Sequence, residues 1–350
     1  MRENQLLKIG EEVGIVRRKL LRWRAILLYL IFGLFASIIT ATAIGPVYIE
    51  PSEVIAIIAS KLGLIAAPLP QSHVNIILEI RLPRAILAAV IGAALSLSGV
   101  IMQGLFRNPL ADPYILGVSP GAALGAALSM TLLPPVIGLY TTPLAAFAGG
   151  LAATALVYGV VKFCGRLTTS SLLLAGIAIS YMFSAILSAV IWALSKDAHK
   201  IILWLMGGLW GADWLRNEMI IPIVVAFAFT AFAFSKDLNA LLLGEETAQS
   251  LGVNVHLIEK LLPILASMTA GAAVAFAGSI GFVGLMMPHI MRLIVGPDHR
   301  ILIPSSALAG GIFLVWADTA ARCLMEIPVG VITALCGVPF FIYLMRRGRM

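Results

Sequence analysis

Residues 81–130 read RLPRAILAAVIGAALSLSGVIMQGLFRNPLADPYILGVSPGAALGAALSM, and they restrict the fold more than any other stretch. Two uncharged apolar runs, 85–106 and 115–133, are separated by one short polar turn at 107–113. A helix needs about 20 apolar residues to cross a bilayer. Both runs are rich in Gly, Ala and Ser, which let helix backbones approach closely where lipid supplies no hydrophobic drive between helices. They are expected to form a packed helix pair, not lipid-facing anchors.

The remaining chain repeats this texture. Charged residues make up only 12% of the sequence, against about a quarter in soluble domains. That excludes a soluble multi-domain protein. The run 25–49 is uncharged for 25 residues, well beyond the apolar core of a signal peptide, and reads as the first span. Segment 50–80 is external, with a short helix starting at Pro51. The second span starts at Arg84 and the third at Ile115. The uncharged stretch 113–161, punctuated by Pro134, Pro135 and Pro143, holds the third and fourth spans. Residues 167–195 give the fifth and 219–234 the sixth. Between them, 201–212 is too short to span and carries Trp204 and Trp210, with Trp214 just beyond, so it reads as interfacial. Residues 261–297 must hold a full seventh helix and a short, discontinuous eighth, broken at Gly278, Gly281, Gly284 and Pro288. Irregular backbone there has to be buried in protein or line a cavity. Residues 303–321 and 327–345 are the ninth and tenth spans.

The expected fold is therefore an all-α polytopic membrane protein with ten transmembrane helices and both termini on one side. Its parts are an N-terminal segment at 1–24, a transmembrane domain at 25–345 and a tail at 346–350. In that topology one side carries 17 Lys and Arg and the other 7, which makes the termini cytoplasmic. An offset of 179 residues aligns Gly92-Ala-Ala with Gly271-Ala-Ala, Gly99 with Gly278 and Pro109 with Pro288. With five helices between the echoes, helices 2–5 and 7–10 would be inverted repeats, as in many transporters.

Chemistry-bearing patterns are few. The chain has no GxxxxGK[ST] phosphate loop, so ATP binding by that means is excluded. No HExxH or paired carboxylates suggest an enzyme. Cys164, Cys323 and Cys336 lack metal-type spacing and read as packing residues. Basic residues at the ends of apolar runs record orientation rather than nucleic-acid binding. An ion-coupled secondary transporter would want acids deep in helices, and those are lacking. His289 and Asp318 read as structural groups that bond backbone freed by Gly and Pro breaks.

Three features invite a functional reading. In 235–254, Asp237 can cap a helix running to Leu243, Gly244 supplies a turn, and Glu245 and Glu246 open a second helix that ends at Leu251-Gly252. A plain loop is the alternative. Arg81, Arg84 and Arg322 lie on the charge-poor side, and the first two crowd a helix N-terminus, where the dipole disfavours cations. Pairing with Asp318 or Glu326 would compensate them. Asn108-Pro109 is a turn former, and the Thr-Thr-Ser-Ser run at 168–171 is a helix cap.

A family resemblance sharpens these readings. It rests on Arg81-Leu-Pro-Arg84, Gly99-Val-Ile-Met-Gln103, Asn108-Pro-Leu-Ala111, Leu116-Gly-Val118 with Gly121, Gly281-Phe-Val-Gly-Leu285, Pro288-His289 and Gly296-Pro-Asp-His-Arg300. Trp316-Ala-Asp318 with Arg322, Pro328-Val-Gly330 and Gly337-Val-Pro339 complete it. These resemble the permease subunit of FecCD-type binding-protein-dependent ABC importers, which carry iron chelates, haem or cobalamin. The resemblance implies a homodimer in the cell (inner) membrane whose path is lined by the fifth and tenth helices. It implies two ATPase subunits, holding the ATP and Mg, that dock on Leu243, Gly244, Glu245, Glu246, Ala248, Leu251 and Gly252. It implies that Arg81, Arg84 and Arg322 receive carboxylates of an extracytoplasmic substrate-binding protein. Asn108, Pro109, Leu110, Thr169 and Ser170 would form the cytoplasmic gate. No cofactor is expected on this chain itself, and iron-siderophore is favoured as cargo over cobalamin or haem.

Overall fold

The computed structural model describes residues 2–64, 69–132, 138–165, 168–193 and 198–346. The expected run ends at Leu133, Leu167 and Ser195, the Pro134-Pro135 break and residues 347–350 lie outside them. Among the described residues the chain is helix and turn, with no strand.

Helix α1 (Arg2–Ala43) is longer than the expected first span, because nothing in the basic segment breaks the helix before it. Two short helices, α2 (Pro51–Lys61) and α3 (Gln71–Asn75), follow. A π-helical turn at Ile76–Arg81 joins α3 to α4 (Leu82–Leu105). The second span is therefore continuous from Gln71, not from Arg84. Pro83 explains the wide turn: its ring would clash with the carbonyl four residues back in an uninterrupted α-helix, and a π-turn opens that space.

Next come α5 (Val118–Leu132), α6 (Thr141–Phe163), α7 (Thr169–Ala193), α8 (Ala198–Leu205) and α9 (Trp214–Ala233). Then follow α10 (Ser235–Leu241), α11 (Glu245–Ser250), α12 (Val255–Ala277), α13 (Val283–Val295), α14 (His299–Cys323) and α15 (Val329–Arg346). Among the described residues eight helices are long and apolar enough to cross a membrane; α5 and α13 are apolar but shorter.

Apolar all round, α4 is the buried centre of the bundle, with 83% of its span window inside the protein. It packs on α14, α12, α13 and α9, while α5 packs on α6 and α7. The two runs are thus both enclosed, as their small residues require, but not as one pair. Gly92 meets Gly310 of α14, Gly99 meets Gly284 of α13, and Gly121 of α5 meets Gly149 of α6. The small-residue faces of α4 select partners distant in sequence, whereas that of α5 takes the helix that follows it.

The packing has an internal exchange. Swapping α4, α5, α6 and α7 for α12, α13, α14 and α15 turns α4–α14 into α12–α6, α4–α13 into α12–α5, and α5–α6 into α13–α14, all of them packed pairs. The 179-residue offset does not express this relation. It carries Val118 to Pro297, beside the start of α14, whereas the exchange pairs α5 with α13.

The break between α12 and α13 is enclosed, as its irregular backbone demands. Gly278 and Phe282 both take φ 68°. Tyr114 donates to the Ile280 carbonyl at 2.8 Å and Gln103 Nε2 to that of Leu285 at 3.0 Å. The Ser119 and Ser279 hydroxyls bond at 2.8 Å. The expected interfacial segment is wedged here too: the Gly208 N–H donates to the Ala277 carbonyl at 2.8 Å, and Ile201 and Leu209 are buried. Only the exposed rings of Trp210 and Trp214 retain an interfacial character. All three cysteines are exposed and so are not core packing groups.

Candidate functional site

Three places bring the singled-out residues together. The first is a knob between α9 and α12. Helix α10 continues from α9 after Phe234 alone, so it has no free N-terminus, and Asp237 lies in its first turn without capping it. Helix α10 ends at Leu241 rather than Leu243. Gly244 takes φ 110° and Gly252 φ 84°, conformations that favour glycine. Glu245 and Glu246 start α11. Leu238, Leu241 and Ala248 are buried and hold the knob to the bundle, whereas Leu243 and Leu251 are 67% and 64% exposed. Two bare leucines flanking a short acidic helix suit a protein partner better than water.

The knob is bolted to the start of α14, a link that no sequence pattern announced. Asn239 Nδ2 donates to Asp298 Oδ1 at 2.8 Å, and Asn239 Oδ1 accepts the His299 N–H at 2.8 Å. Asp298 caps α14 and pairs with Arg300 at 2.6 Å. The Arg300 guanidinium, helped by Asn239, holds the Asp298 carboxyl well below the usual carboxylate range.

The second place is the 107–113 turn. Asn108 Oδ1 accepts the Leu110 N–H at 2.9 Å, an Asx turn, and Leu110 is partly exposed. Arg107, at φ 47°, reaches Glu245 of the knob at 2.8 Å. This exposed pair is worth at most about 1 kcal/mol; its interest is that it ties turn to knob. Ser170 is exposed at the start of α7, and the capping residue there is Thr168, whose Oγ1 accepts the Ser171 N–H at 3.2 Å. The Thr169 side chain lies outside the described residues. One small cleft has Leu105, Phe106, Thr168, Leu172, His256 and Glu259 in its walls, so the ends of α4, α7 and α12 converge here.

The third place is the arginine cluster at the opposite end of α4. All three arginines turn inward. Arg81 is 6% exposed; its guanidinium donates to the carbonyls of Thr42, Ala43 and Val47 at 3.2, 3.0 and 2.6 Å. Arg84 forks onto both Asp318 oxygens at 2.9–3.1 Å. Arg322 Nε lies 3.2 Å from Asp318, and its Nη2 donates to the Ala41 carbonyl at 2.9 Å. The compensation that the helix N-terminus demanded thus comes from one buried carboxylate, from the C-terminal carbonyls of α1, the negative end of its dipole, and from the Val47 carbonyl just beyond it. Of the two acids the sequence offered these arginines, Asp318 is the one that Arg84 and Arg322 take. Asp318 bonds arginines rather than backbone. Buried His289 has no hydrogen-bond partner on either ring nitrogen and sets its ring edge-on to Phe340, with centroids 6.1 Å apart.

Comparison with known proteins places this geometry. Residues 30–347 match the model of the FecCD transport family. The chain is 48% identical over 286 residues to the cobalamin import system permease protein BtuC of Halobacterium salinarum, covering 80% of this chain and 77% of that one. It is 43% identical over 283 residues to the hemin transport system permease protein HmuU of Yersinia pestis, covering 79% and 84%. A solved inward-facing ABC transporter, described as of metal-chelate type, superposes with a TM-score of 0.81 at 31% identity, covering 93% of this chain and 99% of that one.

Proposed function

The chain belongs to the FecCD transport family, as a multi-pass permease of the cell (inner) membrane, and from that premise we propose that two copies form the path of a metal-chelate importer. Two separate ATPase subunits, which hold the ATP and Mg, drive it from the knob. The observation that carries this reading is the knob itself, with Leu243 and Leu251 exposed around the Gly244 turn. Beside α15, Met206, Ser279, Gly330, Ala334 and Leu335 line a cleft of about 590 Å³ that the path would include.

In this reading α5 and α13 complete ten spans, the termini are cytoplasmic, and the packing exchange reflects an inverted repeat of spans 2–5 and 7–10. Leu243, Gly244, Glu245, Glu246, Ala248, Leu251 and Gly252 couple to the ATPase. Asn108, Pro109, Leu110, Thr169 and Ser170 form the inner gate, which Arg107–Glu245 links to the knob. Arg81 is out of reach of an extracytoplasmic binding protein. For Arg84 and Arg322, docking is an exchange in which the partner's carboxylate replaces Asp318. The 48% relative makes cobalamin the first cargo to try, ahead of the iron-siderophore that the sequence favoured; haem is the third.

The test is co-purification of the chain with the ATPase and binding protein encoded beside it, followed by ATPase assays with the binding protein loaded with each chelate. Stimulation by one loaded form supports the proposal and names the cargo. Transport by the chain alone, driven by an ion gradient, overturns it. Leu243→Glu with Leu251→Glu is expected to abolish co-purification of the ATPase. Both positions are surface sites where a substitution changes stability by only about 0.5 kcal/mol, so the melting temperature should hold. Undiminished co-purification would exclude the knob as the docking site.

A further inference from the structure

We propose that the cleft where α6, α9 and α12 meet binds one anionic phospholipid, its phosphate held by Arg216 and Lys200 and an acyl chain lying in the adjoining groove. Two cavities, of about 360 and 370 Å³, share Pro143, Ala275 and Phe276 in their walls. One is basic and the other apolar, in the order an amphiphile requires.

The basic cavity lies at helix ends: α6 starts at Thr141, α9 starts at Trp214 and α12 ends at Ala277. Lys200 and Arg216 line it beside Thr142 and Trp210. Arg216 Nε is buried without a hydrogen-bond partner, 3.8 Å from Asp213. Asp213 is engaged elsewhere, accepting the Arg216 N–H at 2.7 Å and the Tyr140 hydroxyl at 3.4 Å. The Arg216 guanidinium lines the cavity, and Lys200 adds a second cation to its wall. A guanidinium recognises phosphate in a forked geometry. Trp204, Trp210 and Trp214 stand at this end, the level that tryptophans occupy at a membrane surface.

The apolar groove starts where the basic cavity stops. Leu144 and Phe147 of α6, Met219 and Ile223 of α9 and Ala272 of α12 line it. From the helix starts to Phe147 and Ile223 the groove descends about 9–13 Å at 1.5 Å per residue, most of one leaflet of a hydrocarbon core about 30 Å thick. Leu144, Met219 and Ile223 are 51%, 41% and 38% exposed, so the groove opens sideways toward the bilayer.

Native mass spectrometry of the purified full chain, equilibrated in mild detergent with phosphatidylglycerol or phosphatidylcholine, tests the site. The wild type is expected to retain one phosphatidylglycerol per chain in preference to phosphatidylcholine. Arg216→Gln should lower that retention about tenfold, the order of one charge-assisted forked contact. Ile223→Trp, which fills the open side of the groove and leaves Arg216 untouched, should lower it independently. Equal retention of the two lipids by the wild type, or wild-type retention in both variants, overturns the proposal. Neither outcome depends on the transport reading.

Discussion

Asp318→Asn is expected to destabilise the folded chain by about 3–5 kcal/mol, the cost of removing one partner from a buried ion pair. The carboxylate is 2% exposed and serves two guanidiniums, those of Arg84 at 2.9 Å and Arg322 at 3.2 Å. An amide of the same shape keeps the packing and removes the charge. Two cations then face each other near Arg81, at a helix N-terminus that already disfavours them. The carbonyls at and just beyond the end of α1 cannot absorb the difference, because Arg81 and Arg322 already use those of Ala41, Thr42, Ala43 and Ile44. Glu326→Gln is the contrast. Glu326 was the other acid within sequence reach of these arginines, yet it is exposed and pairs with none of them in the structure. Its loss should move the melting temperature by no more than a degree or two. Thermal unfolding of the purified proteins in one detergent checks both. Equal melting of Asp318→Asn and wild type would mean that water or lipid, not Asp318, compensates the arginines.

What the sequence revealed and what it hid divide along physical lines. Apolar runs and turn glycines are local signals, so the long apolar helices, the broken α12–α13 pair and the outline of the knob were legible. Partner choice is not local. Residues 85–106 and 115–133 carry the same small-residue texture, and nothing in that texture says that α4 chooses α14 while α5 chooses α6. The π-turn before Pro83 was hidden for a different reason: its cause is the proline ring crowding the carbonyl four residues back, and a proline also suits an ordinary helix start. Arg84 and Arg322 take the Asp318 carboxylate that the sequence offered them, but the backbone carbonyls that hold Arg81 and share Arg322 lie at and just beyond the end of α1, some forty residues and more away in sequence. Asn239 had no signal at all. A lone Asn in a polar segment looks like solvent-facing filler until the fold brings Asp298 to within 2.8 Å of it.

Partner choice by close approach is most exposed at Gly99. A side chain there would run into the carbonyl and Cα of Gly284, and both obstacles are backbone. Backbone cannot rotate aside as a side chain can. Nor can the helices part cheaply, because Gly99 lies in the middle of α4, which α12, α13 and α14 enclose. Separation would also pull Gln103 Nε2 from the Leu285 carbonyl, leaving broken backbone unsatisfied inside the membrane. Gly99→Leu is therefore expected to leave almost no folded protein in the membrane fraction. Gly99→Ala should cost at least the roughly 1–3 kcal/mol typical of overpacking. Gly159 supplies the control on the same chemistry. It is helical and exposed in α6, and a methyl group added there would meet nothing within 4 Å. Gly159→Ala should therefore stabilise by about 0.4–1 kcal/mol through helix propensity alone. Opposite signs for the two alanines would show that glycine at residue 99 serves helix contact rather than chain flexibility. A neutral Gly99→Ala would show instead that α4 and α13 lie further apart than the Gly99–Gly284 contact requires.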